Sequence, residues 1–274
     1  MEDTDYALGR ASSEYERLIE QAEFLGPLTK RMLVAAGISG GMRVLDVGCG
    51  VGDVSFLVSA LVGAQGSVVG VDLDADALKA AAARREAKRI TNVEFRNADA
   101  RSVDSARPFD AAVGRFVLMY MSDPTAALRV IAERVRPGGI LAFHECDTRV
   151  TGASEWSLPV LARLFDLMWR TFEYSGAKPE LGAELYWRML DAGLQPEPPL
   201  VEIALHSGQD EAGYRRWSDM ARSLLPKIVE YGLASEEEVL DMVDHGLRDE
   251  LVGVRACIPL SPLMIGQWAH TPTS

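Results

Sequence analysis

A glycine-rich turn flanked by acidic residues is the part of this sequence whose spacing most directly indicates chemistry. Residues 44–52 read VLDVGCGVG, with glycines at alternate positions after an apolar run. Glycine adopts left-handed backbone conformations and lets a ligand approach the main chain closely. A helix that begins here would direct its free N–H groups toward the same space. We expect this turn to bind a small molecule, although an ordinary strand-to-helix turn is the alternative, because glycines alone are weak evidence.

The spacing of the glycines distinguishes between possible ligands. A dinucleotide site has the pattern G-x-G-x-x-G, which would require a glycine where Asp53 stands. Asp53 would also face the pyrophosphate of NAD as a like charge at the start of the helix. S-adenosylmethionine has no phosphate, and its sulfonium and ammonium groups are cationic. The acidic residues around the turn therefore favour adenosylmethionine over NAD.

The same residues carry a family resemblance. Residues 45–52 are similar to the first motif of the class I, Rossmann-like S-adenosylmethionine-dependent methyltransferases, in particular to a small-molecule branch with a helical cap. The resemblance implies that S-adenosyl-L-methionine is the cofactor and S-adenosyl-L-homocysteine its product. The cofactor-binding positions that it implies in the turn are Asp46, Gly48, Cys49, Gly50 and Gly52.

The resemblance implies further cofactor contacts at the ends of later strands. They are Asp72, Leu73, Ala98, Asp99, Ala100, Arg115 and Phe116. Asp72 corresponds to the acid that bonds the ribose hydroxyls; a helix cap is its alternative role, for which Asp74 is the better candidate. Asp99 corresponds to the residue at the adenine amino group, with an ordinary loop aspartate as the alternative. Arg115 and Phe116 fall in the loop that holds the methionine part of the cofactor.

The elements that must position these residues alternate along the chain. Short apolar runs predict strands at 43–47, 67–71, 93–96, 109–115 and 140–144, the last preceded by a turn at 136–139. Helical patterns occupy 51–62, 74–88 and 124–135. Such alternation with short links predicts an α/β fold. With the resemblance, we expect a doubly wound, mostly parallel, seven-stranded Rossmann-like sheet with an N-terminal helical lid and helical cap insertions.

The segments outside this core are expected to cover the site. Residues 1–40 should form a lid of two helices interrupted at Gly26-Pro27, before a methyltransferase domain at 41–274 with cap segments at about 150–177 and 207–250. Later patterns predict helices at 156–173, 180–192, 210–225 and 235–247, and strands at 201–205 and 263–269. Ser235 and Glu238 make a capping box. In the family the N-terminal helices fold over the cofactor, which makes Tyr6 and Gln21 candidate contacts, with packing and solvent exposure as their alternatives.

A base that removes a proton from the acceptor should lie at the carboxyl ends of the fourth and fifth strands, where ligands bind in open parallel sheets. His144 and Glu145 occupy the predicted end of the fifth strand and are the candidate catalytic residues. A structural role is the alternative for each, and methyl transfer does not always need a base. No metal site is expected, because no His/Cys cluster accompanies them.

Aromatic residues concentrate in the predicted caps. They are Trp156, Phe165, Trp169, Phe172, Tyr174 and Trp217, and Met220 accompanies them. At helical spacing such side chains are more often core than pocket, so we expect most of them to pack inside. Their abundance still favours an apolar or planar acceptor over a sugar.

Composition limits the partners and the cellular location. Among 274 residues, 28 Lys and Arg oppose 40 Asp and Glu, and a net charge of −12 repels nucleic acid and anionic membranes. Cys49, Cys146 and Cys257 are an odd set without a disulfide framework, which fits a reducing cytoplasm. No signal peptide or membrane-spanning stretch is recognisable. We expect a cytoplasmic protein with a small-molecule partner, and the sequence assigns no oligomeric state.

The leading hypothesis is therefore methyl transfer from adenosylmethionine to an O, N or C nucleophile of a small molecule. This acceptor is apolar or aromatic, such as a secondary metabolite or quinone-like compound. The alternative is an enzyme that binds adenosylmethionine but catalyses cyclisation or isomerisation without transfer, because a cofactor motif does not establish the reaction.

Overall fold

The computed structural model of the chain describes residues 12–103, 107–149, 158–207, 211–255, 257–259 and 261–273. Its helices are α1 (Ser12–Ala35), α2 (Asp53–Val62), α3 (Ala75–Ala87), α4 (Pro124–Ala132), α5 (Pro159–Tyr174), α6 (Leu185–Asp191), α7 (Glu211–Glu230), α8 (Glu236–Asp241) and α9 (Leu247–Val252). Short 3₁₀ turns lie at Leu118–Tyr120 and Leu181–Glu184, and a π-helical turn at Met242–Gly246 joins α8 to α9.

Its strands are β1 (Arg43–Val47), β2 (Ser67–Asp72), β3 (Val93–Asn97), β4 (Phe109–Arg115), β5 (Val135–Asp147), β6 (Gln195–Pro196), β7 (Leu200–Glu202), β8 (Leu205–Ser207), β9 (Cys257–Pro259) and β10 (Leu263–His270). The central sheet has the order β3-β2-β1-β4-β5-β10-β6, and β7 also pairs with β10. The neighbours among β1 to β5 are parallel, whereas β10 runs antiparallel to β5. The predicted fold class is confirmed. Among the described residues the sheet has eight strands instead of seven, because β6 and β7 share one edge position beside β10.

Alternating side chains of the central strands divide the core into two layers. Leu141 and Phe143 of β5 pack into one layer, which includes residues of α4, α5 and α7. Ile140 and Ala142 pack into the other, which includes residues of α1 and α2. Because both faces of the sheet are covered, the central strands are mostly apolar along their length, as is typical of parallel sheets.

The prediction of two N-terminal helices is wrong, because α1 continues through Gly26 and Pro27. Pro27 and Glu23, one turn earlier, are both exposed, so the carbonyl that loses its hydrogen bond lies on the solvent side of the helix. On the opposite side α1 buries Leu25, Leu28 and Met32. Because these buried residues stand before and after the proline along the helix, their packing outweighs the cost of the missing helical hydrogen bond.

Other boundaries differ where strands bend. The predicted turn at 136–139 lies within β5, which begins at Val135. The chain bends there at Gly138 (φ +67°), where the register of the β4–β5 pairing is irregular. The predicted strand at 201–205 is divided: β7 joins the central sheet, whereas β8 pairs with β9 in a separate two-stranded sheet. The capping role of Ser235 is confirmed, because its hydroxyl accepts a hydrogen bond from the Glu238 amide. Among the described residues, no helix is both long and apolar enough to cross a membrane.

Candidate active site

A cavity of about 370 Å³ opens at the carboxyl ends of the central parallel strands. The turn after β1 and the ends of β2 and β3 form one side, and the first half of α1 lies against them. Side chains of α5 and α7 form another side. The predicted cofactor residues that line the cavity are Gln21, Gly48, Cys49, Gly50, Asp72, Leu73, Ala98, Asp99, Ala100, Arg115 and Phe116. Tyr6 lies outside the described residues.

The three glycines of the turn have distinct roles, and all have positive φ (64°, 50° and 91° for Gly48, Gly50 and Gly52). A Cβ on Gly48 would lie 2.4 Å from Val117, so the turn packs directly against the loop after β4. A Cβ on Gly52 would meet the rings of Phe56 and Phe95 at 2.9 Å, and Gly52 does not line the cavity. A Cβ on Gly50 would meet nothing within 4 Å. The backbone at Gly50 therefore faces open space, as a ligand-binding turn requires.

Arg84 of α3 braces the turn from the side. Its guanidinium donates to the Val51 carbonyl at 2.5 Å and to the Asp53 carboxylate at 2.6 Å. This ion pair compensates the charge that was expected to repel a pyrophosphate, so the like-charge argument against NAD loses its force. Tyr174 and Lys178 also have the Tyr-x-x-x-Lys spacing of some dehydrogenases, but Tyr174 is 59% exposed and does not line the cavity.

Asp72 connects the end of β2 to this turn. Its carboxylate accepts hydrogen bonds from the Gly50 amide at 2.7 Å and from the Asp74 amide at 2.9 Å. Burial raises the pKa of Asp72, while these amides oppose the shift. Asp74 caps α3, as expected, and its carboxylate also accepts from the Tyr15 hydroxyl of α1 at 3.1 Å. The carboxylate of Asp72 thus fixes the turn and lines the cavity.

The residues predicted to surround adenine follow β3. The amide of Ala98 donates to the Asp72 carbonyl at 3.1 Å, which joins the ends of β2 and β3. The Asp99 carboxylate pairs with the Arg101 guanidinium, with contacts of 2.9 and 2.5 Å. This hydrogen bonding lowers the pKa of Asp99 and keeps it ionised. Sequence reasoning did not identify Arg101, which lines the cavity through this pair.

Asp46 lies behind the cavity wall and does not line it. It is 1% exposed, and its Oδ2 accepts from the Ser55 hydroxyl at 2.6 Å. No described residue bonds to its Oδ1, and burial raises the pKa of Asp46 to about 7. Its place beneath the turn lets it support the cofactor residues from behind.

The loop after β4 is held in a strained conformation. Phe116 has φ +52°, a left-handed value that is unfavourable for a bulky residue, and it lines the cavity. Its amide donates to the His144 carbonyl at 3.1 Å. Arg115, beside it, donates to the Thr29 hydroxyl of α1 at 3.1 Å. Gln21 of the same helix lines the cavity and accepts from Arg17 at 2.7 Å.

His144 and Glu145, the predicted catalytic residues, both lie behind the wall. The Oε1 atom of Glu145 accepts from the amides of Val117 and Leu118 at 2.9 and 2.8 Å, while its Oε2 has no partner in the described part of the chain. Burial raises the pKa of Glu145 to about 7. Burial and the nearby positive charge of Arg115 lower the pKa of His144 to about 3, so this imidazole is neutral. The geometry does not support a catalytic role for either residue, because neither reaches the cavity.

The cap aromatics reach the cavity more often than expected. Trp169, Phe172, Trp217 and Met220 line it, whereas Phe165 is core, Tyr174 is exposed and Trp156 lies outside the described residues. Sequence reasoning missed Phe24, Tyr120, Cys146, Arg216 and Ser261, which also line it. These come from α1, the loop after β4, the end of β5, α7 and the segment before β10. No local pattern marks such residues, since the fold alone brings them together.

The cavity fits a ligand with cationic groups and a ribose. Of the four aspartates that line it, at positions 53, 72, 74 and 99, the first and last are paired with Arg84 and Arg101. The carboxylate of Asp72 lies at the Gly50 turn, beside which the space is open. Asp46, beneath the turn, has a pKa of about 7 and is therefore only about half ionised at neutral pH. The residues that could hold adenosylmethionine here are the turn at Gly48–Gly50, Asp72 and the loop at 98–100.

Comparisons with known sequences agree with this geometry. The profile of a family described as "methyltransferase domain" matches residues 38–189. The aklanonic acid methyltransferase DauC of Streptomyces sp. (strain C5) is 31% identical over 150 residues, which cover 52% of this chain and 67% of that protein. The 2-phytyl-1,4-naphtoquinone methyltransferase of Synechocystis sp. is 31% identical over 153 residues, covering 53% of this chain and 64% of that protein.

Solved structures share the fold at low sequence identity. The YcgJ protein from Bacillus subtilis superposes with a TM-score of 0.59 at 18% identity, covering 89% of this chain and 97% of that one. The [4+2]-cyclase SpnF superposes with a TM-score of 0.55 at 20% identity, covering 90% of this chain and 81% of that one. The family profile covers more than half of the chain. The chain therefore belongs to the methyltransferase domain family, and it is a methyltransferase that depends on S-adenosylmethionine.

Proposed function

We propose that the acceptor is an apolar or aromatic small molecule, quinone-like or an aromatic secondary metabolite, methylated at an O, N or C nucleophile. The observation that carries this proposal is the apolar wall made by Trp169, Phe172, Trp217 and Met220. Two named relatives, which act on aklanonic acid and on a naphthoquinone, support the same class of acceptor.

In this proposal, one side of the cavity binds the cofactor and the other binds the acceptor. The turn after β1 and Asp72 bind and orient the cofactor, which supplies an activated methyl group when bound. The wall of α5 and α7 holds the acceptor and excludes water, and in-line transfer depends mainly on such positioning. Tyr15 and Gln21 place α1 over the same space, consistent with the predicted lid.

Proton removal does not require His144 or Glu145 in this proposal. Both lie behind the wall, so we infer that the acceptor attacks the methyl group through a nucleophile that ionises readily or needs no proton removed. Phenols, enols and hydroquinones meet this condition more easily than alcohols or sugars.

Cyclisation or isomerisation without methyl transfer is less favoured. The fold of SpnF is similar, but similarity at this identity concerns the fold alone. The two sequence relatives named above are methyltransferases. A cytoplasmic location and the absence of nucleic-acid and membrane partners stay predictions from composition.

The test is a panel of acceptors incubated with adenosylmethionine, with adenosylhomocysteine and the methylated product measured by mass spectrometry. Naphthols and hydroquinones should give a product 14 mass units heavier, in amounts equal to the adenosylhomocysteine formed, whereas sugars should not. A product of unchanged mass without adenosylhomocysteine would favour cyclisation. Release of adenosylhomocysteine with sugars but not with aromatic compounds would contradict the proposed acceptor class.

A pair of variants checks the cofactor side. Asp72→Asn should weaken adenosylhomocysteine binding, because it removes a charge from the cavity and disturbs the bond to the Gly50 amide. Asp76→Asn is the matched control, since Asp76 is exposed on α3 and pairs with Lys79 away from the cavity. Equal affinities of the two variants, measured by calorimetry, would show that Asp72 does not hold the cofactor.

A further inference from the structure

The indole of Trp169 has an unused hydrogen-bond donor in the wall of the cavity. Its Nε1 is buried and has no partner among the described residues, although Trp169 lines the cavity. Buried N–H groups in folded proteins nearly always have an acceptor, and leaving one without a partner is unfavourable. An isolated donor of this kind is best explained by an acceptor atom that arrives with a ligand.

The surroundings of Trp169 do not supply that atom. Its ring neighbours are Phe165, Phe172 and Trp217, with centroid distances of 5.8, 6.1 and 5.9 Å. Phenylalanine offers no lone pair, and the indole N–H of tryptophan is a donor only. Trp169 itself lines the cavity, so a small rotation of the indole would bring its N–H, which is buried in this structure, within reach of an oxygen atom on a ligand.

The shape of this wall indicates what carries the oxygen. The rings of Trp169 and Phe172 are nearly parallel at 26°, whereas Trp217 stands at 89° to Trp169. Together they form a corner of flat apolar faces, which complements a planar ring system. Met119 and Met220 also line the cavity, and methionine adapts to aromatic surfaces.

A positive charge lies close to this corner. Arg216, one residue before Trp217 in α7, lines the cavity with its guanidinium 3.9 Å from the centroid of Phe24. A cation at this place favours an electron-rich oxygen on the ligand over a second amine.

We propose that Trp169 is a specificity-determining residue: the acceptor is a planar aromatic compound whose carbonyl or hydroxyl oxygen accepts a hydrogen bond from the Trp169 indole. This inference rests on the proposed function and deepens it, because it names the recognition element of the acceptor. The oxygen fixes the position of the ring in its plane, which stacking alone leaves free.

The test compares two probes of one shape, 2-naphthol and naphthalene, with adenosylhomocysteine present. Their affinities are measured by equilibrium dialysis for the wild type, Trp169→Phe and Trp217→Phe. A neutral hydrogen bond corresponds to about a five-fold preference for 2-naphthol. Trp169→Phe keeps a ring but removes the N–H, so the preference should disappear. Trp217→Phe is the matched control, which removes an indole from the same corner and should retain the preference.

A measurement on the wild type keeps the proposal testable if a variant does not fold. In a ¹H–¹⁵N spectrum, one indole resonance should move downfield with 2-naphthol and not with naphthalene. A preference that persists in Trp169→Phe, equal loss in both variants, or no binding of either probe would each overturn the proposal. Because binding is measured without transfer, these results are separate from the product assay that tests the proposed function.

Discussion

Replacing Glu145 with glutamine separates a positioning role from a catalytic one. The amide oxygen of glutamine can still accept from the amides of Val117 and Leu118, which now bond to the carboxylate at 2.9 and 2.8 Å. What changes is the charge. Burial raises the pKa of Glu145 from 4.5 to about 7, so ionisation is less favourable in the folded protein than in the unfolded chain.

The sign of the pH dependence follows from this shift. A raised acid pKa gives stability that is complete below the unfolded value and is lost as the pH rises through the folded value. From about pH 5.5 to about pH 8, the loss at Glu145 amounts to about 2 kcal/mol. Glutamine does not titrate. The free energy of unfolding of the wild type should therefore fall by about 2 kcal/mol relative to Glu145→Gln over this range, as measured by urea unfolding.

Exposed Glu133 provides the matched control, because Glu133→Gln should follow the wild type at both pH values. A pH-independent difference for Glu145→Gln would refute the burial argument. Turnover supplies a second criterion: loss of a general base lowers the rate by about 10²–10⁴-fold, whereas a positioning residue with its acceptor oxygen retained should change it little. A rate loss of that size in a stable variant would indicate that Glu145 is a catalytic residue after all.

Three further outcomes are expected. Gly48→Ala should weaken adenosylhomocysteine binding measured by calorimetry, because its Cβ would lie 2.4 Å from Val117. Gly41→Ala is the control: Gly41 shares a positive φ (+83°, against +64° at Gly48), but its Cβ would meet nothing within 4 Å, so the variant should bind normally. Arg84→Met should lower the same affinity several-fold by releasing its two contacts with the turn. Pro27→Ala should raise the free energy of unfolding by about 1–3 kcal/mol by restoring a helical hydrogen bond, as measured by urea unfolding.

Each of these outcomes has a clear contradiction. Equal binding by the two glycine variants would mean that the loop after β4 moves aside without loss. Unchanged affinity in Arg84→Met would mean that the turn keeps its conformation without a brace. A less stable Pro27→Ala would show that the fixed φ of proline contributes more than the missing hydrogen bond removes.

The strands β1 to β4 were predictable to within about one residue, because apolar runs bounded by glycine or polar residues have few alternatives. The course of α1 was not, since the rule that proline ends a helix ignores which side of the helix is buried. The same limit applies to the split edge of β6 and β7. Their pairing depends on β10, about 60–75 residues later in the chain.

The site was predictable where a motif and a strand end coincide. Gly48, Gly50 and Asp72 belong to one hydrogen-bonded turn, and all line the cavity. The position of Glu145 at the end of a strand gave no indication that its carboxylate would turn toward the amides of the neighbouring loop. The aromatic wall of the cavity comes from α5 and α7, which are far apart in the sequence, so only the fold identifies which aromatic residues face inward.

The continuous course of α1 gives the protein a direct connection between ligand and fold. Its first half, with Tyr15 and Gln21, faces the cavity, whereas Met32 near its end is buried against the sheet. A ligand that contacts the first half of α1 therefore stabilises the same continuous helix that covers the sheet. Occupancy of the cavity and the integrity of an outer layer of the domain are thereby coupled thermodynamically, and each strengthens the other.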